Sequence, residues 1–531
     1  MFVRIGEGEP TPTPFVLSNP NKDQRTENER MQEHFDELKR LLGQVQDLNA
    51  AAAVLEWDQE TYMPDGAADA RAYQVATLRK LAHEFFTADE VGTLLEALTP
   101  ETQALDPISA EASLVRVARR DYDKALKLPA SLVAEIAEAV GHAKQAWRKA
   151  RATNTYATFA PHLERIIALN VQKAEAYGYD DRVYDALLDE YEEGMKTATV
   201  ETVFADLRAQ LVPIVHAIAE RQPPEDGFLR QTFDKQKQWD FGMGVLKDFG
   251  YDFNRGRQDI STHPFTTSFS ITDVRVTTRI HEQFLPSALF GTLHECGHGL
   301  YEQGIDLNLD RTPLADGTSL GMHESQSRLW ENQVGRSRAF WQHYYPKLQA
   351  LFAEQLGGVS RDAFYRGINK VSPTLIRVES DEVTYNLHIM LRFELEQAMV
   401  EGRVSVADLP ELWNTKMEEY LGLRPETNAE GVLQDIHWSL GALGYFPTYS
   451  LGNLISAQLF DQAQQDLPGL DNQIATGQFA DLLGWLRTNI HQYGRKLQAP
   501  EILERVTGQG LDAGPWLHYI RQKYGAIYGG L

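Results

Sequence analysis

The chain of 531 residues has one cysteine, Cys296, so no internal disulfide staples it. That suits a reducing compartment, and a cytoplasmic location is expected. Positive charge is also short, with 51 Lys and Arg against 75 Asp and Glu, a net charge of −24. No basic stripe offsets this excess, which argues against a nucleic-acid partner. No apolar run approaches the roughly 18 residues that cross a bilayer, so no membrane partner is expected either. Repeats of fixed period and low-complexity blocks are missing, which excludes solenoids and arrays. Residues 1–30 hold Pro10, Pro12, Pro14 and Pro20 but neither the apolar centre nor the cleavage site of a signal peptide. They read as a flexible extension, with Met31 a candidate start.

What is present is a large apolar fraction, 43%, in an ordinary globular composition. From Glu29 to about Gly250 the pattern is helical almost throughout. Phe35, Leu38, Leu41, Leu42, Val45 and Leu48 recur at the three- and four-residue steps of one buried face. The exception is Thr266 to Ile280, where Ser268 to Thr278 alternates and is rich in β-branched residues. This predicts one strand whose face carries Phe269, Ile271, Asp273, Arg275 and Thr277. The edge of such a strand is where an extended peptide can add by backbone hydrogen bonds. Loops rich in Gly, Asp and Pro follow Gly304 and Gly422, yet no linker divides the chain. Residues 31–531 are therefore expected to form one large, mostly α domain with a small sheet.

The densest chemical signal is His294-Glu295-Cys296-Gly297-His298. On a helix, residues four apart share a face, which sets two imidazoles side by side. Zinc favours such nitrogen ligands, and catalytic sites leave one position open for water. Glu295 can sit beside that water and take its proton during attack on a carbonyl. Pro286 to Leu293 supply a helix start and apolar positions to bury. Cys296 turns away from the metal and reads as a small packing residue. A third ligand is expected on a nearby helix. Glu324 in Met322-His323-Glu324-Ser325 completes a two-His, one-Glu set, with His323 its competitor.

Further stretches occur in a fixed order: His263-Pro264-Phe265, Asp273-Val274-Arg275-Val276-Thr277, the zinc motif, His323-Glu324-Ser325-Gln326, Ile376 to Asp381 and Gly431 to Trp438. Together with Leu55 to Pro64 this set resembles the M32 metallocarboxypeptidases, from about Met31 to the C-terminus. One departure is Ser380, where the family usually has Ala. The resemblance implies a mostly helical gluzincin-type fold with a deep groove and a small antiparallel sheet beside the zinc helix. It also implies a homodimer, one zinc (or cobalt) ion per chain, and release of single C-terminal residues from peptides with broad specificity. Glu295 would be the general base and Glu324 the third ligand.

The remaining residues can be weighed by their chemistry. A free carboxylate suits the guanidinium fork, which makes Arg377 and Arg275 candidate readers, with a structural ion pair the alternative for each. Asp273 would hold Arg275, and Asp381 would do the same for Arg377. An oxyanion needs donors besides the metal, and His437 with Tyr449 or Tyr445, Tyr449 being preferred, would suit. Gln434 and Asp435 are placed to narrow the groove. His263 reads as structural. Two other readings compete: a gluzincin oligopeptidase cutting within short peptides, and a silent metal-stabilised peptide binder.

Overall fold

The computed structural model describes residues 27–530. The first 26 residues, and with them most of the expected extension, lie outside the described residues. Helix α1, Glu27–Thr61, buries the predicted stripe Phe35, Leu38, Leu42 and Val45. The chain turns through Pro64 and returns antiparallel as α2, Ala68–Phe86, so that Arg71 meets Asp58 and Arg79 meets Glu56 and Asn49. Only Ala82 of α2 is buried.

Helix α3, Thr197–Ala219, departs from the expectation that no segment reaches membrane-spanning length. Among the described residues it alone is long and apolar enough by length and composition. Here Val200, Phe204, Leu207, Leu211, Ile214, Val215 and Ile218 form one buried stripe. Its Arg208 pairs with Glu394 and bonds the Tyr420 hydroxyl. The stripe is the inward face of a core helix.

Three strands follow: β1 (Gly256–Ile260), β2 (Thr266–Ser270) and β3 (Asp273–Thr278). The stretch read as one strand is thus a hairpin. Ser270 and Thr272 explain the fold-back: their hydroxyls lie 2.8 Å apart and the Thr272 amide bonds the Ser270 hydroxyl, a local turn that competes with extension. Ile271 is drawn inward and its amide reaches Asp310. The strand order is β1-β3-β2, with β2 antiparallel and β1 parallel to β3. The sheet is therefore mixed rather than antiparallel, because the short polar run Gly-Arg-Gln-Asp-Ile adds a strand on the far side of the hairpin. Val274 and Val276 are fully buried, whereas Asp273 and Arg275 face the other way.

Helix α4, Leu285–Gly304, lies against β3 and carries His294, Glu295 and His298. Helix α5, Leu320–Arg328, carries Glu324 and runs into a π-helical turn, Leu329–Val334. Helices α6 (Tyr385–Val400) and α7 (Pro447–Asp466) complete the core around them. Two glycines set how closely these helices meet. A Cβ at Gly297 would lie 2.6 Å from the Gln326 carbonyl, and one at Gly452 would lie 2.5 Å from Glu324 Cγ. The ligand helix α5 is therefore held between α4 and α7 at distances only glycine permits.

Candidate metal centre and active-site groove

His294 and His298 are one turn apart on α4, and both present Nε2 to the same carboxylate oxygen. Glu324 Oε2 is 3.6 Å from His294 Nε2 and 3.5 Å from His298 Nε2. Two ligands held about 2.1 Å from a tetrahedral ion would stand about 3.4 Å apart, so this set fits one small divalent cation. All three donors lie within 4.8 Å of one another. The predicted trio is brought together, and His323 is not part of it.

Each imidazole is fixed from behind. His294 Nδ1 contacts Glu331 Oε2 at 3.0 Å, and His298 Nδ1 meets His323 Nδ1 at 2.5 Å. His323 Nε2 in turn reaches Glu302 at 2.6 Å. Such outer partners set tautomer and ring orientation. Glu331 sits on the π-helical turn, which also lets it meet Arg328 and Arg336. Arg328 donates to Glu324 Oε1 at 2.7 Å. Burial alone would push the Glu324 carboxyl up, but Arg328, His294 and His298 outweigh it and hold the group well below the usual carboxylate range.

Glu295 is buried beside the cluster, and burial is the main force raising its carboxyl above the ordinary value. Cys296 is fully buried in the core, where desolvation raises its thiol far above the usual range, consistent with the packing role expected of it. The N-terminus of α5 is closed by Ser319, whose hydroxyl accepts the Met322 amide, and by Glu192, which accepts the Gly321 amide. Burial pushes the Glu192 carboxyl up to about 7.

A groove of about 940 Å³ runs over this centre. Its floor includes every residue of β2, which as the last strand of the sheet has one edge free of sheet partners. One wall is α1, and the loop around Asp310 and Arg311 lies against it at the rim. Arg311 pairs with Asp47 of α1 through Nε and Nη2 at 3.0 and 2.5 Å, both side chains largely exposed. Arg311 also has φ of 57°, a left-handed conformation uncommon for a side-chain-bearing residue.

Tyr445 and Tyr449 line the groove near the metal cluster, with ring centres 5.3 Å apart. His437 lies behind them, 5.5 Å from Tyr445 and 6.4 Å from Tyr449. Burial, then Arg392, lowers the His437 imidazole to about 3, so it is neutral at physiological pH. Gly452 and the packed start of α7 fix Tyr449 on the groove wall.

Neither arginine singled out from the sequence lines the groove directly. Arg275 pairs with Asp273 at 2.9 and 3.0 Å and lies between the rings of Trp57 and Phe269. Through Trp57 this contact joins the C-terminal end of α1 to the sheet. Arg377 is buried just behind Tyr449, 5.1 Å from its ring, with Nη1 3.0 Å from the Tyr385 hydroxyl. Its carboxylate partner is Asp435, at 2.8 Å, and not Asp381. Asp381 instead accepts the amides of Ser372, Val383 and Thr384 and organises the turn into α6. Gln434 and Asp435 do not narrow the groove: Gln434 accepts the Arg377 amide and donates to Leu375 and Glu430 carbonyls, so both residues are scaffolding for Arg377. His263 is exposed, and only its carbonyl is engaged, by Ser261.

Several site residues escaped sequence reasoning. Thr266, Glu302, Glu331, Glu192 and Tyr385 all touch the site or its supports, and each is brought there by tertiary packing rather than by helical or strand spacing.

Comparison with known proteins agrees with this geometry. The family model described as Carboxypeptidase Taq (M32) metallopeptidase matches residues 37–524. Thermostable carboxypeptidase 1 of Thermus thermophilus is 41% identical over 495 residues, covering 91% of this chain and 96% of the relative. Carboxypeptidase 1 of Bacillus subtilis is 38% identical over 497 residues, covering 93% and 98%. Among solved structures, the M32 carboxypeptidase from Deinococcus radiodurans R1 matches with a TM-score of 0.92 and 44% identity, over 94% of this chain and 100% of that one. Trypanosoma cruzi metallocarboxypeptidase 1 matches with a TM-score of 0.87 and 32% identity, over 93% and 99%. With a family match spanning nearly all the described residues and carboxypeptidase relatives of almost equal length, the chain is a metallocarboxypeptidase and belongs to the Taq carboxypeptidase (M32) family of metallopeptidases.

Proposed function

We propose that this enzyme is a zinc-dependent carboxypeptidase, cobalt being an alternative metal, that releases single C-terminal residues from peptides with broad specificity. The observation that carries the reading is the convergence of His294 Nε2, His298 Nε2 and Glu324 Oε2 on one point of the groove floor, with Glu295 beside them. What such a cation supplies when bound is Lewis-acid polarisation of a carbonyl and a lower pKa for water.

The chain's own residues do the rest. Glu295 takes the proton of the attacking water and passes it to the departing amine, a role suited to a carboxyl that burial makes more basic than a solvated one. The hydroxyls of Tyr449 and Tyr445 line the groove where charge develops on the carbonyl oxygen, and His437 backs them as a neutral ring. Arg377, held by Asp435 behind Tyr449 and Tyr385, supplies the positive field for the substrate's terminal carboxylate. Arg275 and Asp273 shape the sheet end that borders the groove. The extended substrate lies along the free edge of β2.

A peptide pool digested with and without chelator, read by mass spectrometry, tests this. Single-residue shortening that stops on chelation is expected, and C-terminal amidation should block it. Equal cleavage of amidated and free peptides would refute the exopeptidase reading. The assembly we propose is a cytoplasmic homodimer, on the family resemblance and the single buried thiol. Sedimentation of the purified protein as a monomer would count against the dimer.

A further inference from the structure

Glu295 stands in the middle of a helix, on a three-torsion side chain, and nothing in the spacing of the zinc motif fixes where its carboxylate points. Holding a buried Glu in one rotamer costs side-chain entropy, so a base in a defined place needs a partner. Among the described residues, one side chain is hydrogen-bonded to that carboxylate. The Thr266 hydroxyl lies 2.7 Å from Glu295 Oε2 and 3.0 Å from the Glu295 backbone carbonyl.

Thr266 is itself well placed to set a direction. It is the first residue of β2, paired in register with Val276 of β3. A β-branched residue on a strand has few χ1 choices, so the strand backbone fixes the hydroxyl. The sheet is in turn seated tightly on α4, where a Cβ at Gly299 would lie 3.0 Å from the Val276 side chain. Strand, hydroxyl and carboxylate therefore form one rigid linkage. One Glu295 oxygen is occupied by Thr266 and the other is left for a proton in transit.

We propose that Thr266 is a positioning residue for Glu295: its hydroxyl anchors one carboxylate oxygen so that the other faces the attacking water. This rests on the reading of Glu295 as the general base. Because Thr266 also lies on the edge strand that floors the groove, it ties the base to the element along which the peptide lies. The base and the scissile bond then share one rigid reference.

The test compares Thr266→Val and Thr266→Ala with Thr266→Ser in metal-loaded enzyme, on a blocked dipeptide bearing a free carboxylate. Both hydroxyl-less variants should lose about 10- to 100-fold in kcat, with KM within about two-fold and bound metal unchanged. Serine, which keeps the hydroxyl, should stay within about three-fold of the parent. If the hydroxyl-less variants keep kcat within two-fold, or if serine fails as badly as valine, the proposal is wrong. Repeating Thr266→Val in a Glu295→Gln background separates the two claims. A loss in that background as large as in the parent would show Thr266 acting independently of Glu295 and overturn the positioning role. Full activity of Glu295→Gln alone would instead remove the base, whatever Thr266 does. Thermal melts of every variant report folding, and the alanine and serine pair decides the matter should valine not fold.

Discussion

The two walls of the groove are built on opposite principles. On the metal side, α4 and α5 are buried and locked by glycine contacts, and every ligand imidazole has a second partner. His294 leans on Glu331, and His298 on His323 and then Glu302. On the other side, α1 shares a buried apolar cluster with Leu309 and Leu314 through Phe35, Leu38 and Leu42, but above it the helix meets the same loop through Arg311 and Asp47, whose side chains are 59% and 55% exposed. Its companion α2 buries a single alanine. Groups that must hold sub-ångström geometry sit where packing over-determines them, whereas the upper edge of the wall beside which peptides enter and leave carries a contact that water can replace. Substitutions on the metal side should therefore act on turnover and folding, and those on the far wall on substrate entry with small amplitude.

The largest effect is expected at Glu295. Glu295→Gln keeps the shape and the Thr266 contact but removes the basic oxygen. A loss of about 10²- to 10⁴-fold in kcat is expected, with metal content unchanged by elemental analysis. Near-normal turnover in that variant would move the chemistry elsewhere and dissolve the contrast between the walls.

Next comes Glu192, which closes the N-terminus of α5 and so belongs to the rigid side. Its carboxyl is raised from 4.5 to about 7, burial being the main cause, so the native state holds a proton that the unfolded state releases between those values. Stability from this group is therefore present at low pH and is lost as pH rises through 7. At about 1.36 kcal/mol per pKa unit the full swing is about 3 kcal/mol. Glu192→Gln removes the titration, so its melting temperature relative to the parent should climb between pH 5 and pH 8. A difference that stays constant across that range would mean the carboxyl is not strained by charging.

The same contrast explains how far the sequence could be read. His294, His298 and the stripe of α1 follow a helical period, which survives any tertiary context, and Glu324 lies on the next α-helix. Thr266 and Glu331 carry no such signal. Thr266 reaches Glu295 only because the hairpin folds β2 onto α4, and Glu331 reaches His294 only because a π-helical turn shifts its face. Ser270 and Thr272 look like ordinary strand residues until their hydroxyls are seen to close a turn, which hid the hairpin. β1 stayed invisible because Gly-Arg-Gln-Asp-Ile lacks alternation, and its parallel pairing with β3 is settled by the tertiary fold. Arg377 is legible as an ion-paired guanidinium, yet local spacing points to Asp381, four residues away, whereas the partner is Asp435, 58 positions on. Local spacing identifies ligands, and long-range packing chooses their supports.

The smallest effect is expected across the mouth of the groove. Arg311 adopts φ of 57° and forms a two-point pair with Asp47, so the loop accepts an unfavourable backbone for a contact with α1 at the rim. The pair is exposed and screened by salt, so Arg311→Ala should change kcat/KM by less than about five-fold and leave the melting temperature nearly unmoved. The direction is informative where the size is not. A rim held together by this pair opens more readily without it, so dissociation of product should quicken and the effect should shrink as salt is raised. Exchanging the two charges, Asp47→Arg with Arg311→Asp, should bring the parent rate back. A large loss of turnover in Arg311→Ala, unaffected by salt and not restored by the exchange, would mean that this rim is as tightly determined as the metal side, and that the two walls of the groove do not differ in the way their exposure indicates.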